Sequence, residues 1–341
     1  DLNQGVYTVM SYNDGWNTHP DGDRNYSAAN RASGWSETLG AFDIGTLLAR
    51  GYTAPAHNAG DNVYTIADTQ ADASYQTIWD NGGIDEIAYV GTRDTQIDLL
   101  AATLDYSPTG GGAISFARGV WGGYTIANGV VVENATGGSG NDALLGNSSA
   151  NTLTGNDGDD FLMGREGNDI LRGGAGVDTV TGGDGLDVAT LGAGDDFFIA
   201  EVTASKLNLK TGSMSVDIIT DFDAGSNDVI DLTELGTAMN FRGTSASKNL
   251  GDLTYKTYTS ITGAENALGI DIDGQPGASG VGGPVTVVYG NTAGNKTPEF
   301  AIILLNTSSV DASDFLFGTS SLMAAGGGGG SAGGGADYLL V

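Results

Sequence analysis

The sequence contains no cysteine, so no disulfide framework and no thiolate metal centre can hold it together. Only 13 of its 341 residues are Lys or Arg against 42 Asp or Glu, a formal charge of −29. That balance excludes nucleic acid as a partner, and strong self-repulsion makes metal cations the natural counter-charge. No apolar run approaches the ~18 residues a membrane helix needs. Two histidines, His19 and His57, sit in Pro/Gly/Asn-rich loops and read as surface residues. They assemble neither a Ser-His-Asp nor a Cys-His site. The chain opens at Asp1, inside what reads as a domain and without a leader, so a fragment or processed product is expected.

Glycine, in contrast, is abundant, with 57 residues, while 40% of the chain is hydrophobic. This is not the composition of a disordered linker. From Gly137 to Ile199 the sequence divides without a gap into seven nonapeptides: GGSGNDALL, GNSSANTLT, GNDGDDFLM, GREGNDILR, GGAGVDTVT, GGDGLDVAT and LGAGDDFFI. The sixth position is Asp142, Asn151, Asp160, Asp169, Asp178, Asp187 and Asp196. The eighth is Leu144, Leu153, Leu162, Leu171, Val180, Ala189 and Phe198. A linker would not keep an apolar residue at every ninth position. Glycines suit a tight turn over the first six residues, and the last three suit a short strand with one side chain inward.

The pattern G-G-x-G-x-D-x-U-x, with U apolar, resembles the calcium-binding β-helix repeat of RTX proteins. Two repeats should then make one coil, stacking Asp142 on Asp160, Asp160 on Asp178, Asp169 on Asp187 and Asp178 on Asp196. A hard cation taking six to eight oxygens fits between such turns. Gly138, Gly140, Gly155, Asp157, Gly167, Gly174, Gly176, Gly183 and Gly185 are the turn positions expected to join the aspartates as ligands. The second repeat breaks the rule, with Ser149 for Gly and Asn151 for Asp. A weak or missing site is expected between Asn151 and Asp169.

Flanking motifs narrow the family. Tyr7-Thr8-Val9-Met10-Ser11-Tyr12 resembles the Met-turn of serralysin-type zinc metallopeptidases. Ala41-Phe42-Asp43-Ile44 through Arg50-Gly51-Tyr52 is similar to the helix that follows it there, and residues 36–50 read as a capped amphipathic helix. Gly60-Asp61-Asn62-Val63-Tyr64 and Trp79-Asp80-Asn81-Gly82-Gly83-Ile84-Asp85 resemble segments that share one calcium in that family. The resemblance assigns Asp61, Asp80 and Asp85, with carbonyls near Gly82 and Gly83, to that ion. Glu133 is a further acidic candidate. Asp217 to Asp223 and Asn227 to Leu232 resemble the strands that cap the solenoid, and Asp217, Asp221 and Asp228 are candidates to close the last calcium site. Asp337-Tyr338-Leu339-Leu340-Val341, after a glycine run, is similar to the tail read by a type I secretion system.

The resemblance implies a mainly β protein, a parallel β-roll with flanking sandwich strands after a small remnant of an α/β protease domain. Residues 1–52 would end the protease domain and 53–136 lead into the roll. The repeats fill 137–199, capping strands 200–323, and a Gly-rich secretion tail 324–341. The family is secreted by bacteria and cleaves extracellular proteins with zinc. The resemblance makes Met10 the floor of the zinc site and Tyr12 a transition-state residue. Calcium is the implied cofactor here; zinc belongs to the intact protease, because no H-E-x-x-H occurs in this sequence. This chain is therefore expected to bind calcium without hydrolysing peptides, and its missing N-terminal catalytic part is a further implied partner. A non-catalytic binding or surface-layer module, or an export and folding chaperone, are the alternative readings.

Overall fold

The computed structural model describes Ile44 and residues 58–317, apart from 71–72, 104–109, 203–206, 210–211, 224–226, 236–238, 246–248 and 294–297. Met10, Tyr12, His19, His57 and the tail from 324 lie outside the described residues. Of the 36–50 segment only Ile44 is described, and it is helical and buried. No helix among the described residues is long and apolar enough to cross a membrane. The chain forms two compact units, Asp1–Asp178 and Thr179–Val341.

The strands of the first unit are β1 (Val63–Thr65), β2 (Tyr75–Ile78), β3 (Glu86–Ala88), β4 (Thr95–Asp98), β5 (Phe116–Ala117) and β6 (Gly123–Ile126). They continue with β7 (Asn134–Thr136), β8 (Ala143–Leu145), β9 (Thr152–Asp157), β10 (Phe161–Glu166) and β11 (Ile170–Ala175). One sheet runs β1-β3-β7-β9-β11, parallel throughout. Another runs β5-β4-β8-β10, antiparallel only at β4–β5, and β2 pairs with β6. From β7 to β11, successive strands thus alternate between two sheets. The register proves the coil: Leu171 lies beside Leu153 and Leu162 beside Leu144, each 18 residues apart, or two repeats.

The eighth-position residues explain why the coil closes. Leu144, Leu153, Leu162 and Leu171 are each 0% exposed, with Ile87, Ile97 and Ala135 in line before them. Positions seven and nine flank them, so the strand alternates inward and outward. Burying one leucine contributes about 2 kcal/mol. One such residue per nine is a thin core, and the turns must contribute the rest.

The second unit holds β12 (Thr179–Asp184), β13 (Val188–Ala193), β14 (Phe197–Ile199), β15 (Leu207–Leu209), β16 (Gly212–Ile219) and β17 (Val229–Asp231). It ends with β18 (Asn240–Phe241), β19 (Asp252–Tyr258), β20 (Val285–Gly290), β21 (Phe300–Leu305) and β22 (Phe315–Leu316). Strands β12-β14-β17-β22 are parallel. Strand β13 joins β16 and β21 in parallel, and β20 and β19 then continue antiparallel. Within the 200–323 stretch expected to hold capping strands there is also a helix, α1 (Ile261–Leu268). Ser260 caps it by accepting the Gly263 N–H at 3.2 Å, and Gly269, at φ 84°, ends it. Ile261, Ala264 and Leu268 share one helix face and pack with Val216, Ile218, Val287 and Ile303 of the sheet. The helix covers the face of β20 and β21 that carries Val285, Val287, Ala301, Ile303 and Leu305; Val288, Ile302 and Leu304, which point the other way, are buried as well, so neither strand reads as half-exposed.

Candidate metal-binding turns

The repeat turns are built around the sixth-position carboxylate. Asp142, Asp160, Asp169, Asp178, Asp187 and Asp196 are all at most 2% exposed. Three of these carboxylates, Asp160, Asp169 and Asp178, accept a backbone N–H from the preceding coil. Oδ1 of Asp160 accepts from Asp142 N at 2.7 Å, Oδ1 of Asp178 from Asp160 N at 2.9 Å, and Oδ1 of Asp169 from Asn151 N at 2.7 Å. Asp142 itself accepts from the N–H and hydroxyl of Thr95 at 2.6 and 2.7 Å. The expected contacts Asp142–Asp160 and Asp160–Asp178 are therefore direct neighbours in the stack.

The second carboxylate oxygen is where glycine matters. A Cβ on Gly155 would come within 2.1 Å of Asp160 Oδ2, so only glycine leaves room for the buried carboxylate. Oδ2 of Asp160 is buried and has no hydrogen-bond partner among the described residues; the same holds for Oδ2 of Asp85 and Asp231. Turn carbonyls line the same stack. Gly140 O lies 2.1 Å from where a Cβ on Gly158 would be, and Gly158 O equally close to that of Gly176; both glycines have φ above +110°. Buried carboxylate oxygens without donors, beside aligned carbonyls, form an all-oxygen set suited to a hard divalent cation.

Electrostatics agree. Burial first, then Asp142, Asp178 and Asp159, push the Asp160 carboxyl from 3.8 up to about 8. Burial also raises Asp142, against hydrogen bonds from Thr95 and Gly138. These charges are held close, and no ion pair among the described residues joins Asp142 or Asp160 to a cation.

The lead-in motif converges too. Asp61 accepts the Ile84 N–H at 2.9 Å, Asp80 the Gly82 N–H at 2.9 Å, and Asp85 the Asn62 N–H at 2.9 Å. Glu133 accepts the Asp85 N–H at 2.8 Å. Asp85 is raised by burial and by Asp80, Glu133 and Asp61, which places the four carboxylates in one field. The Tyr64 hydroxyl donates to Asp80 at 2.6 Å, and its own ionisation is pushed far up, first by burial.

In the second unit the capping acids fall at two places. Asp217 accepts the Asp187 N–H at 3.3 Å and is raised well above its ordinary value by burial and by Asp187. Asp221 accepts Leu191 and Gly192 N–H at 2.9 and 3.0 Å, while Asp228 accepts Asp196 N at 3.2 Å and Asp223 N at 3.0 Å. Burial raises both, Asp228 also through Asp221 and Asp223. Asp221 and Asp228 thus gather around the last repeat turn, and Asp217 serves the Asp187 turn. Gly138 donates its N–H to Asp142 at 2.6 Å, Gly167, Gly174, Gly183 and Gly185 occupy positive-φ turn positions, and Asp157 faces solvent at the end of β9.

The sequence reading passed over the fifth position. Asp94 accepts the Asn141 N–H, Asn141 Oδ1 the Asp159 N–H, and Asp159 the Val177 N–H, at 3.1, 3.0 and 2.9 Å. Two short polar residues 18 apart, Asn141 and Asp159, were the available signal. Outside the repeats, Glu265, Asp271 and Asp273 bring three carboxylates within 4.8 Å. There Glu265 closes the loop after α1 by accepting the Ile272 N–H at 2.9 Å.

A family profile described as Peptidase M10 serralysin C terminal matches residues 52–281. Among curated proteins, a serralysin of Photorhabdus luminescens is 34% identical over 145 residues, 42% of this chain and 28% of its own length. Metalloprotease AprA of Pseudomonas entomophila is 31% identical over 147 residues, again 28% of its length. Serralysin B of Dickeya chrysanthemi is 31% identical over 140 residues, 41% of this chain and 27% of its own length. The alignments thus span under a third of those relatives. The solved AlgE6R3 subunit of an Azotobacter vinelandii mannuronan C5-epimerase aligns over 62% of this chain and 96% of its own at 24% identity, with a TM-score of 0.23.

Proposed function

Because the chain belongs to the serralysin C-terminal family of M10 peptidases, we propose that it is the calcium-folding and export portion of a secreted, serralysin-like zinc endopeptidase. The observation that carries the reading is the stack of buried sixth-position carboxylates, with Oδ2 of Asp160 lacking any donor among the described residues. Asp142, Asp160, Asp169, Asp178, Asp187 and Asp196 would hold calcium between stacked turns, with carbonyls such as Gly140 O and Gly158 O. Asp61, Asp80, Asp85 and Glu133 would hold an ion ahead of the repeats, and Asp221 and Asp228 one at the last turn. Calcium would supply positive charge and accept these oxygens as ligands, without redox chemistry.

The chain's own residues supply the coupling. In low-calcium cytoplasm the stacked carboxylates repel and the thin core cannot hold the coils. Outside the cell, binding free energy becomes folding free energy. The order suits export of an unfolded chain by a type I system reading the tail at 337–341. Residues 1–52 would be the end of the protease domain, 53–136 the lead-in strands, 137–199 the repeats and 200–323 the cap. Met10 and Tyr12 would serve the zinc site of the intact enzyme. With no H-E-x-x-H in the sequence, zinc-supplemented chain should leave casein uncut.

The test is far-ultraviolet circular dichroism with calcium titrated into chelated protein. Strand signal should appear cooperatively as calcium rises and vanish on chelation. A spectrum indifferent to calcium at neutral pH would refute the proposal.

A further inference from the structure

Resting on that calcium reading, we propose that the turn over 146–151 has its ion replaced by protein: the Arg165 guanidinium and the Asn147 and Asn151 amides stand where a divalent cation would otherwise be held. The oxygens at this turn are those of a coordination site, and every one named here meets an N–H donor. Arg165 grips Asp98 bidentately, Nη1 to Oδ1 at 2.7 Å and Nη2 to Oδ2 at 3.0 Å, and Nη1 also donates to the Gly146 carbonyl. Asn147 Nδ2 donates to the carbonyls of Val132 at 2.8 Å and Leu99 at 3.3 Å. Asn151 Nδ2 donates to the Glu133 carbonyl at 3.0 Å and to Asn147 Oδ1 at 3.2 Å.

Three features make this a substitution rather than incidental bonding. Asn151 stands at the repeat position that is Asp in the other six repeats, which removes one negative charge. Asn147, Asn151 and Asp98 are 8, 2 and 7% exposed and the Arg165 side chain 23%, so the network is largely desolvated and its one ion pair balances internally. Arg165 occupies the second position of its repeat, glycine in the template, at φ 76°. A non-glycine residue in that left-handed backbone is strained and persists where its surroundings fix it, as Asp98 and the Gly146 carbonyl fix the Arg165 head. The guanidinium fork matches a carboxylate as an ion does, but its donors are fixed to the chain and cannot be chelated away.

Two consequences follow: this turn contributes no calcium to the stoichiometry, and it stays closed without calcium. The test uses the full chain and counts bound calcium by equilibrium dialysis for wild type, Asn151→Asp, and Asn147→Gly/Ser149→Gly/Asn151→Asp/Arg165→Gly. The quadruple variant should bind one ion more than wild type, while Asn151→Asp gains none because the guanidinium still fills the place. A folded quadruple variant with wild-type stoichiometry, or a gain from Asn151→Asp alone, overturns the proposal. Wild-type protein that binds no calcium would instead overturn the calcium reading and this inference with it. Should the quadruple variant fail to fold, amide exchange in chelator decides. The Gly146 and Glu166 amides, bonded to Met163 O and Asn147 O, should exchange about tenfold more slowly than those of Asp142 and Asp160. Arg165→Ala should erase the difference; equal rates in wild type refute it.

Discussion

Asp160→Asn should stabilise the protein without metal and destabilise it with calcium. The side chain is 2% exposed, its Oδ1 takes the Asp142 N–H at 2.7 Å, and its carboxyl is pushed from 3.8 up to about 8. An acid whose folded pKa is raised binds its proton more tightly in the fold than in the unfolded chain. Its stabilising contribution is complete below the unfolded value and is lost as pH rises through about 8. At about 1.4 kcal/mol per pH unit the ceiling is about 6 kcal/mol. Solvent screening at the turn brings that to about 3 kcal/mol. Asparagine keeps an Oδ1 acceptor and never ionises, so in chelator at pH 8 it should recover most of that energy. In calcium the same change removes an ionised ligand and should lower the unfolding midpoint and the affinity. Urea unfolding followed by circular dichroism, between about pH 5 and pH 8, with and without chelator, reads both arms. Asp142, Asp221 and Asp228 are raised in the same direction, so chelated wild type should gain structure as pH falls across that window. A substitution effect of one sign in both conditions, or chelated protein that strengthens as pH rises, would refute the reasoning.

Leu162→Ala in calcium should cost about 3 kcal/mol, because a 0% exposed side chain leaves a cavity between coils; denaturant midpoints measure it. Gly158→Ala should be far worse than Gly129→Ala. Both have positive φ, but a Cβ at 158 would meet Gly140 O at 2.1 Å while one at 129 meets nothing within 4 Å. The φ cost alone is about 1–2 kcal/mol, so the excess, read from thermal midpoints, reports the packed carbonyl. Asp85→Asn should weaken calcium binding ahead of the repeats while leaving the Asp160 turns intact, which calorimetric titration would show as loss of one class of sites.

The repeat phase was legible because coil geometry imposes it on two positions at once. Leucine at position eight and aspartate at position six announced both the strands and the stacked turns, and the 18-residue register follows from them. The broken second repeat was equally visible at Ser149 and Asn151. What replaces its ion was not, because Asp98 and Arg165 are 67 residues apart and only the coil brings them together. Likewise α1 was hidden in a stretch whose apolar strands dominate the pattern, and its three buried residues are too few to set a visible period. The separation of Asp217 from Asp221 and Asp228 needed the strand pairings, since all three lie within a dozen residues of sequence.

The strand register in the first unit advances by 18 residues per coil. Such a chain can change length only in whole coils. Removing one nonapeptide would exchange the two faces of turns, setting the amide-bonded side of 146–151 over the buried carboxylates of the other turns. Removing two would leave every remaining neighbour in kind. Growth and loss by duplication are thus quantised at twice the period written in the sequence.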